Sequence, residues 1–224
     1  MSINIAIDGP VASGKGAVTK GLSQKLGIPA LDTGAAYRAV TLYLLDNYID
    51  IRDEKAILLN LNKIDLRLYS VVNHNLRVFI QGQDVTARIR DNRVSLSVPI
   101  VAAHIGVRDY VNRQIAMVAS QGDYIMEGRD IGTVVLPNAQ YKFFLTASLE
   151  VRAKRRKADL DAKGENLSLL EVMAQVKERD ERDMNRENSP LKKAEDAVEL
   201  DTSDLTIDEV VETMLKIVEE KAEL

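Results

Sequence analysis

Short apolar runs alternate with longer amphipathic segments along the chain. The first run, INIAI at 3–7, is rich in β-branched residues and ends at Asp8-Gly9-Pro10, which predicts a buried strand that enters a loop. Similar runs predict strands at 29–32, 124–127, 141–145 and 197–200. Apolar residues at helical spacing predict helices at 15–26, 34–46, 109–120, 148–160, 168–186 and 206–222. Strands that alternate with helices indicate an α/β fold, with a parallel sheet covered on both faces.

One segment, IDLRLYSVVNHNLRVFIQGQDVTARIRD at 64–91, breaks this alternation. Apolar and polar residues alternate in two stretches of it, and Asn73-His74-Asn75 between them is typical of a turn. The alternating apolar positions are Leu66, Leu68, Leu76, Val78 and Ile80. We therefore predict an antiparallel hairpin that forms a small subdomain inserted into the α/β fold.

A basic segment, RAKRR at 152–156, precedes the polar stretch DAKGEN at 161–166 and a further predicted helix. A polar loop between two helices that carry arginines is typical of a mobile lid. A solvated surface hairpin has the same spacing, so the residues alone leave both interpretations open.

The loop after the first predicted strand has the sequence GPVASGKGAV. Gly9, Gly14 and Lys15 have the G-x-x-x-x-G-K spacing of a phosphate-binding loop, and the flanking strand and helix make an ordinary glycine-rich turn the weaker alternative. In such a loop, backbone N–H groups surround an anion and the positive end of the helix dipole points towards it. The lysine reaches the outer phosphates. The predicted nucleotide contacts are Gly9, Pro10, Val11, Ala12, Ser13, Gly14, Lys15, Gly16 and Ala17.

The position after Lys15 normally carries a hydroxyl that holds the Mg²⁺ ion of the nucleotide, but here it is Gly16, followed by Ala17. Thr19 cannot replace this hydroxyl, because a rise of about 1.5 Å per residue carries it most of a turn along the helix. We therefore expect no direct protein ligand for Mg²⁺. The ion would arrive chelated by ATP and be held by phosphate oxygens and water, steadied by a carboxylate from elsewhere in the chain.

Arginines lie beside carboxylates or loops in LDTGAAYR at 31–38, GVRDYVNRQ at 106–114, EGRDIGTVV at 127–135 and KERDERDMNR at 177–186. The first and third segments follow predicted strands, and open α/β sheets bind ligands at the carboxyl ends of their strands. In the first segment, Asp32 or Thr33 is expected to cap a helix whose first turns present Tyr37 and Arg38.

The predicted helix at 168–186 has one face that is apolar in its first half and charged in its second half. The face comprises Leu169, Val172, Val176, Arg179, Asp183 and Arg186. Because unpaired buried charge is costly, the charged half predicts a polar cavity, and a solvated helix is the weaker alternative. The neighbouring residues Asp180, Glu181 and Arg182 are expected to form exposed ion pairs at i,i+4 spacing.

Arginines that converge on one cleft repel one another unless anions join them, and each phosphate monoester brings about −1.5 to −2 charges. Two phosphate-bearing substrates would balance such a set. Because an ionised phosphate oxygen is itself a nucleophile, the reaction needs positioning and charge neutralisation rather than proton removal.

Composition and charge narrow the function classes further. The chain has 224 residues and a net charge of −4, which argues against a protein that binds long nucleic-acid backbones. It contains no cysteine, and His74 and His104 lie far apart, which disfavours a metal centre built on thiols or imidazoles. We see neither a leader peptide nor an apolar run of membrane-spanning length. We therefore expect a cytoplasmic monomer with small-molecule partners and no contact with nucleic acid or membrane.

Taken together, these motifs resemble the bacterial cytidylate kinases (CMP/dCMP kinases), which are nucleoside monophosphate (NMP) kinases. The matching segments are IAIDGP…SGKG, LDTGAAYR, GQDVTARIR, VAAH…VR, EGRDIGTVV, FFLTAS…RAKRR, RDERDMNR and SPL…A…LDTS, in the family's order over nearly the whole chain. The resemblance implies a P-loop NTPase-type core with a five-stranded parallel sheet flanked by helices, an NMP-binding region with the hairpin insert, and a helical lid. It implies a core at 1–62, 118–151 and 169–224, an NMP-binding region at 63–117 with its insert at 64–91, and a lid at 152–168.

The resemblance also implies a function, which is ATP-dependent phosphorylation of CMP and dCMP to CDP and dCDP, with Mg²⁺. Arg38 and Arg129 resemble the clamp on the CMP phosphate, beside Tyr37. Thr33, Arg108 and Asp130 resemble the cytosine-reading residues. The residues that hold the sugar and phosphates are Arg179, Asp183 and Arg186, and Arg155 or Arg156 belongs to the lid over ATP. The residues that would stabilise the transferring phosphoryl group are Lys15, Arg129, Arg179 and Arg186.

The chain departs from the family's pattern at two places. The family often has glycine after the P-loop lysine, but a threonine usually follows where this chain has Ala17. The family usually has serine where this chain has Pro99, which offers neither a hydroxyl nor an N–H, so one base contact is lost or taken by water. A kinase for another monophosphate such as UMP is therefore the alternative. A P-loop nucleotide switch is less favoured, because a switch needs few acceptor-site arginines.

Overall fold

The computed structural model describes residues 3–70, 72, 76–162 and 164–222. Its strands are β1 (Asn4–Asp8), β2 (Ala30–Asp32), β3 (Leu66–Tyr69), β4 (Arg77–Ile80), β5 (Gln83–Asp84), β6 (Tyr124–Gly128), β7 (Tyr141–Thr146) and β8 (Val198–Asp201). Its helices are α1 (Lys15–Leu26), α2 (Gly34–Asp46), α3 (Glu54–Leu61), α4 (Asn92–Val101), α5 (Ile105–Ala119), α6 (Leu149–Asp161), α7 (Leu169–Met184) and α8 (Ile207–Ala222). Arg88–Arg90 forms a 3₁₀ turn and Ile131–Val135 a π-helical turn.

The larger sheet has five strands in the order β2-β6-β1-β7-β8. β1 pairs in parallel with β7 from Ile5 opposite Tyr141 to Asp8 opposite Phe144, and β7 pairs in parallel with β8. Successive residues of β1 are fully buried although they point to opposite faces, as expected for a parallel sheet covered on both sides. The predicted α/β class with a five-stranded parallel sheet is confirmed.

The chain divides into two compact units. The first unit comprises Gly27–Met126 with the residues up to Ile3, and the second comprises Asn4–Leu26 and the chain from Glu127 onward. The predicted division into core, NMP-binding region and lid uses other boundaries and stays a prediction.

The first unit contains the predicted antiparallel insert. β3 pairs with β4 from Leu66 opposite Ile80 to Tyr69 opposite Arg77, and β5 adds a short third strand that the sequence pattern did not predict. Alternate residues of β3 and β4 are buried, as the pattern of polar and apolar positions predicts. The turn predicted at Asn73-His74-Asn75 lies outside the described residues.

Helix bounds agree with the sequence prediction for α1 and α2 and differ elsewhere. Gly27 has a φ of 68°, the left-handed conformation that commonly ends a helix, and α1 stops just before it. α5 begins at Ile105, four residues before the predicted start at 109. α3 and α4 were not predicted, and α4 contains Pro99, which lacks the N–H that a helix interior uses.

In the second unit, α6 and α7 pack against each other through a cluster of buried apolar residues. The cluster comprises Ala153, Leu160, Val172 and Val176. Ser168 and Glu171 form a capping box at the start of α7, which fixes where the helix begins. Within the described residues, no helix has the length and apolar character needed to span a membrane.

Candidate active site

The loop between β1 and α1 contains residues with a positive φ. Ala12 has a φ of 58° and Gly14 a φ of 92°, and such departures from the usual right-handed region produce a concave nest of N–H groups. A Cβ atom at Gly9 would lie 2.2 Å from the carbonyl oxygen of Leu145, so only glycine allows the loop to leave β1 here. The geometry is that of an anion-binding loop.

Lys15, the first residue of α1, is buried beneath this loop. Its Nζ donates hydrogen bonds to the carbonyl oxygen of Pro10 at 2.6 Å and to Ser13 Oγ at 3.2 Å. Burial lowers the pKa of Lys15 well below its ordinary value, and the charge of Arg129 lowers it further, whereas Glu127 and Asp8 act in the opposite direction. A polyanion bound at the loop would favour the charged form of Lys15.

Glu127, near the end of β6, lies beside the position that lacks the usual hydroxyl. A Cβ atom built on Gly16 would be 3.4 Å from Glu127 Oε1 and 3.9 Å from Oε2. The start of α1 therefore faces a carboxylate at this point. The described residues contain no cluster of three or more Asp, Glu or His side chains that could hold a metal by itself. One carboxylate together with phosphate oxygens and water is a donor set that suits nucleotide-bound Mg²⁺.

Asp8 joins the end of β1 to the turn that follows β6. Its Oδ1 accepts a hydrogen bond from the N–H of Ile131 at 2.8 Å, and its Oδ2 accepts one from the N–H of Gly132 at 2.7 Å. Burial raises the pKa of Asp8 to about 6, although both backbone hydrogen bonds lower it. Arg129 and Asp130 immediately precede this turn, so Asp8 holds the segment that carries them.

Charged side chains from the end of α7, from the residues just after it and from the segment after β6 meet in the second unit. Arg129 Nε donates to Asp183 Oδ2 at 2.9 Å, and Arg186 Nη1 lies 3.8 Å from Asp183 Oδ1. Arg186 Nη2 also donates to the carbonyl oxygen of Ser189 at 2.9 Å. The charges of Arg129 and Arg179 both lower the pKa of Lys15, so these two arginines act on the phosphate loop electrostatically.

Two predictions for this helix are wrong. α7 ends at Met184, so Arg186 follows the helix instead of continuing its face, because Asn185 already leaves the helical conformation. Asp180 does not form an exposed i,i+4 pair. It is buried and pairs with Arg152 at 2.6 Å, a partner on another helix that local spacing cannot reveal. The exposed pairs Lys177–Glu181 and Glu178–Arg182 do form as predicted.

The predicted lid arginines differ in their surroundings. Arg155 Nη1 would lie 3.8 Å from a Cβ atom on Gly14, and the same guanidinium donates to the hydroxyl and the carbonyl oxygen of Thr202. Arg156 is half-buried. Arg152, which begins the basic segment, is buried and does not belong to an exposed basic face.

The first unit holds a separate group of the predicted residues around the start of α2. Asp32 pairs with Arg38, and Asp32 Oδ1 accepts a hydrogen bond from the N–H of Gly34 at 2.9 Å. Thr33 occupies the N-cap position but makes no side-chain capping hydrogen bond, so Asp32 does the capping. The buried guanidinium of Arg108 lies 5.4 Å from the centre of the Tyr37 ring, a cation–π distance that fixes its orientation.

The family model for cytidylate kinase matches residues 5–220. The chain belongs to the cytidylate kinase family. A cytidylate kinase of Bacillus licheniformis is 45% identical over 219 residues, which cover 98% of this chain and 97% of the relative. A cytidylate kinase of Bacillus subtilis is 42% identical over 220 residues, which cover 98% of each chain. The predicted kinase class is confirmed.

A solved structure of an uncharacterised protein from Eubacterium ventriosum is similar to this cytidylate kinase family member in fold. Its TM-score is 0.50 at 14% identity, and the match covers 97% of this chain and 98% of that one. At that identity the likeness concerns the fold alone.

Sequence reasoning missed three residues that lie at the phosphate loop or hold the turn after β6, of which Asp8 and Arg152 are buried and Glu127 is half-buried. In the sequence, Asp8 was noted only as the end of an apolar run. An acidic residue in such a run is a signal of a buried carboxylate with hydrogen-bonding partners, because buried charge needs partners. Arg152 and Glu127 appeared only as members of motifs. Their partners, Val11 and Gly16, lie more than a hundred residues away in the chain, which periodicity cannot show.

Proposed function

We propose that this chain transfers the γ-phosphoryl group of ATP to CMP and dCMP, which yields ADP together with CDP or dCDP. The observation that carries this proposal is the cytidylate kinase family match over residues 5–220. The chemistry of the described residues supports it, because one unit carries an anion-binding loop and both units carry partly buried arginines.

In this proposal the second unit binds ATP. The N–H groups of the loop 9–17 surround the phosphates, and Lys15 moves from the loop carbonyl of Pro10 to a phosphate oxygen. Arg155, whose guanidinium lies near Gly14, covers the bound nucleotide in this proposal, together with Arg156. Closure of the segment 152–168 would exclude water that would otherwise hydrolyse ATP.

In this proposal CMP is bound by the residues that resemble the acceptor site of the family. Arg38 and Arg129 hold the acceptor phosphate, and each currently pairs with a carboxylate that the phosphate would displace or share. Arg108 donates to the acceptor atoms of the cytosine ring, and Asp130 accepts from its amino group, with Thr33 and Tyr37 beside them. Asp183, Arg179 and Arg186 hold the sugar and the phosphates.

Catalysis then consists of positioning and charge neutralisation. The attacking atom is an ionised phosphate oxygen of CMP, so no side chain has to remove a proton. Lys15, Arg129, Arg179 and Arg186 stabilise the negative charge on the phosphoryl group in transit. Bound Mg²⁺ would neutralise charge on the phosphates of ATP. Glu127, beside Gly16, is the residue placed to hold the water shell of the ion.

Pro99 favours one alternative substrate, UMP. It lies inside α4, where it offers neither the hydroxyl nor the N–H with which a polar residue could contact the base. The proposed discrimination between cytosine and uracil therefore rests on Asp130 and Arg108.

We expect a cytoplasmic monomer that uses small-molecule substrates and binds neither nucleic acid nor membrane.

A coupled assay of ADP release with CMP, dCMP, UMP or no acceptor tests this proposal. We expect ADP release to depend on an acceptor and to be fastest with CMP or dCMP. ADP release at the same rate without any acceptor would contradict the kinase proposal, and faster release with UMP would establish the alternative.

A further inference from the structure

Two buried side chains from outside the phosphate loop donate hydrogen bonds to carbonyl oxygens of the loop. Arg152 Nη1, in the first turn of α6, donates to the carbonyl oxygen of Val11 at 3.2 Å. Thr202 Oγ1, directly after β8, donates to the carbonyl oxygen of Ser13 at 3.1 Å. Both residues are almost fully buried, with exposures of 7% and 2%. Neither side chain contacts a substrate in the function proposed above, although Arg152 begins the proposed lid segment.

The geometry of the peptide group gives these contacts a consequence for the loop. In a trans peptide the C=O and the following N–H point in opposite directions. Holding the Val11 carbonyl on one side therefore turns the N–H of Ala12 to the other side, and holding the Ser13 carbonyl does the same for the N–H of Gly14. Ala12 has a φ of 58°, which costs a non-glycine residue about 1–2 kcal/mol, so the loop needs outside contacts to keep this shape.

Arg152 is itself held firmly in place. Its Nε donates to the carbonyl oxygen of Ala147 at 2.9 Å, and its Nη1 lies 2.6 Å from Asp180 Oδ2. The side chains of Arg152 and Asp180 are both buried, so the positive charge of the guanidinium is neutralised locally. Arg152 therefore acts on the loop through the direction of its hydrogen bond and adds little charge to the phosphate site.

Thr202 has a single hydroxyl proton to donate. The carbonyl oxygen of Thr146 lies 3.0 Å from Thr202 Oγ1 but already accepts the N–H of Thr202 at 2.8 Å. Arg155 Nη1 donates to Thr202 Oγ1 at 3.0 Å, which occupies one lone pair of the hydroxyl and leaves its proton for the carbonyls. Since each carbonyl oxygen has two lone pairs, both carbonyls can accept this proton; the inference assigns it to Ser13, and the Thr202 variants test that assignment.

We propose that Arg152 and Thr202 are positioning residues that preorganise the phosphate loop. They hold the carbonyls of Val11 and Ser13 away from the anion, so that the N–H groups of Ala12 and Gly14 face it before ATP arrives. The inference rests on the proposed function in one respect, which is that the loop binds the phosphates of ATP. It predicts that loss of these contacts weakens the binding of polyphosphates much more than the binding of CMP.

The variants are chosen so that no buried charge is left alone. Arg152→Met combined with Asp180→Leu removes the whole ion pair, and such replacements are often neutral for folding. Arg182→Met combined with Glu178→Leu is the matched control, because it removes an exposed ion pair from α7, the helix that carries Asp180. Thr202→Val removes only the hydroxyl, and Thr202→Ser is the conservative variant that keeps it.

Calorimetry would measure the binding of ATP, inorganic tripolyphosphate and CMP to each variant. For Thr202→Val we expect about five- to tenfold weaker binding of ATP and of tripolyphosphate, the value of one neutral hydrogen bond. The Arg152/Asp180 double variant should lose at least as much, whereas Thr202→Ser and the control pair stay close to wild type. CMP binding should be unchanged, and the amide NMR signals of Ala12 and Gly14 should shift only in the variants that lose a contact.

Three results would overturn the inference. They are unchanged polyphosphate binding in a folded Thr202→Val protein, equal losses for CMP and for tripolyphosphate, and equal effects of Thr202→Val and Thr202→Ser. If the Arg152/Asp180 variant does not fold, the two Thr202 variants decide the question alone. A wild-type chain that binds neither ATP nor tripolyphosphate would instead contradict the proposed function, and this inference would fall with it.

Discussion

Asp8 Oδ2 accepts a 2.7 Å hydrogen bond from the N–H of Gly132, across more than a hundred residues of chain. A side chain at Gly132 would press on this carboxylate and on Lys142, because its Cβ would lie 3.4 Å from Asp8 Oδ2 and 3.2 Å from Lys142 Cδ. The contact joins the entry of the phosphate loop to the turn that carries Arg129 and Asp130. One buried carboxylate thus connects the loop proposed to bind the donor phosphates to the segment proposed to bind the acceptor.

The first prediction concerns the stability of the fold as a function of pH. The pKa of Asp8 is raised from 3.8 in the unfolded chain to about 6 in the folded chain. At a pH between these two values, the folded state keeps a proton on Asp8 that the unfolded state has lost. The contribution of Asp8 to the free energy of unfolding should therefore fall by about 3 kcal/mol as the pH rises from about 4 through 6, and then level off.

Urea unfolding at a series of pH values would measure this effect, with Asp8→Asn as the variant that cannot titrate. Wild type should lose stability relative to Asp8→Asn as the pH rises through this window. A difference that stays constant from pH 4 to 7 would mean that the pKa of Asp8 is not raised.

A second prediction follows from the position of Arg38 at the start of α2. Arg38→Ala should lower kcat/KM for CMP by about 10- to 100-fold, because a charge-assisted hydrogen bond to the acceptor phosphate is lost. The affinity for ATP should stay within about twofold, because Arg38 is not one of the residues proposed to bind ATP. Steady-state kinetics with each substrate varied in turn would measure both effects.

Arg67→Ala is the matched control for this substitution. Arg67 is an exposed arginine of β3 that pairs with Asp65, and its removal should leave both kinetic constants unchanged. Equal losses of affinity for CMP and ATP in Arg38→Ala would remove Arg38 from the acceptor site.

The third prediction concerns the choice of base. Asp130 is buried and is proposed to accept a hydrogen bond from the amino group of cytosine, which uracil lacks. Asp130→Asn should lower the preference for CMP over UMP by about tenfold, because an amide can both donate and accept. The ratio of kcat/KM for the two nucleotides measures the preference. An unchanged ratio with slower turnover would show that Asp130 does not read the base.

The fourth prediction concerns the carboxylate beside Gly16. Glu127→Gln keeps the size of the side chain and removes its charge, so the ternary complex should need about tenfold more Mg²⁺ for half-maximal activity. Glu178→Gln on α7 is the exposed control and should leave the Mg²⁺ requirement unchanged. A Mg²⁺ titration at saturating ATP and CMP distinguishes the two variants. If their titration curves coincide, Glu127 does not support the ion.

The fold was predictable where local periodicity decides the structure. Burial on both faces of β1 and alternating burial in β3 and β4 follow directly from the order of apolar and polar residues. α4 was not predictable in this way, because Pro99 argues against a helix and only tertiary packing of α4 against α2 supports it.

The candidate site was predictable as a set of motifs but not as a set of contacts. The spacing of Gly9, Gly14 and Lys15 is enough to identify the phosphate loop, since the chemistry requires those residue types in that order. The hydrogen bonds from Arg152 to Val11 and from Thr202 to Ser13 join distant parts of the chain. A single sequence carries no local signal for such pairs, and the buried pairing of Asp180 was predicted wrongly for the same reason.

The central claim is that one chain holds ATP and CMP together for direct transfer between their phosphates. An analogue in which adenosine and cytidine are joined through their 5′ oxygens by five phosphates tests it most directly, because it must occupy both substrate sites at once. We predict that calorimetry will show this analogue to bind at least about 100-fold more tightly than ATP. Binding no tighter than that of ATP, with CMP still able to bind alongside the analogue, would contradict the account.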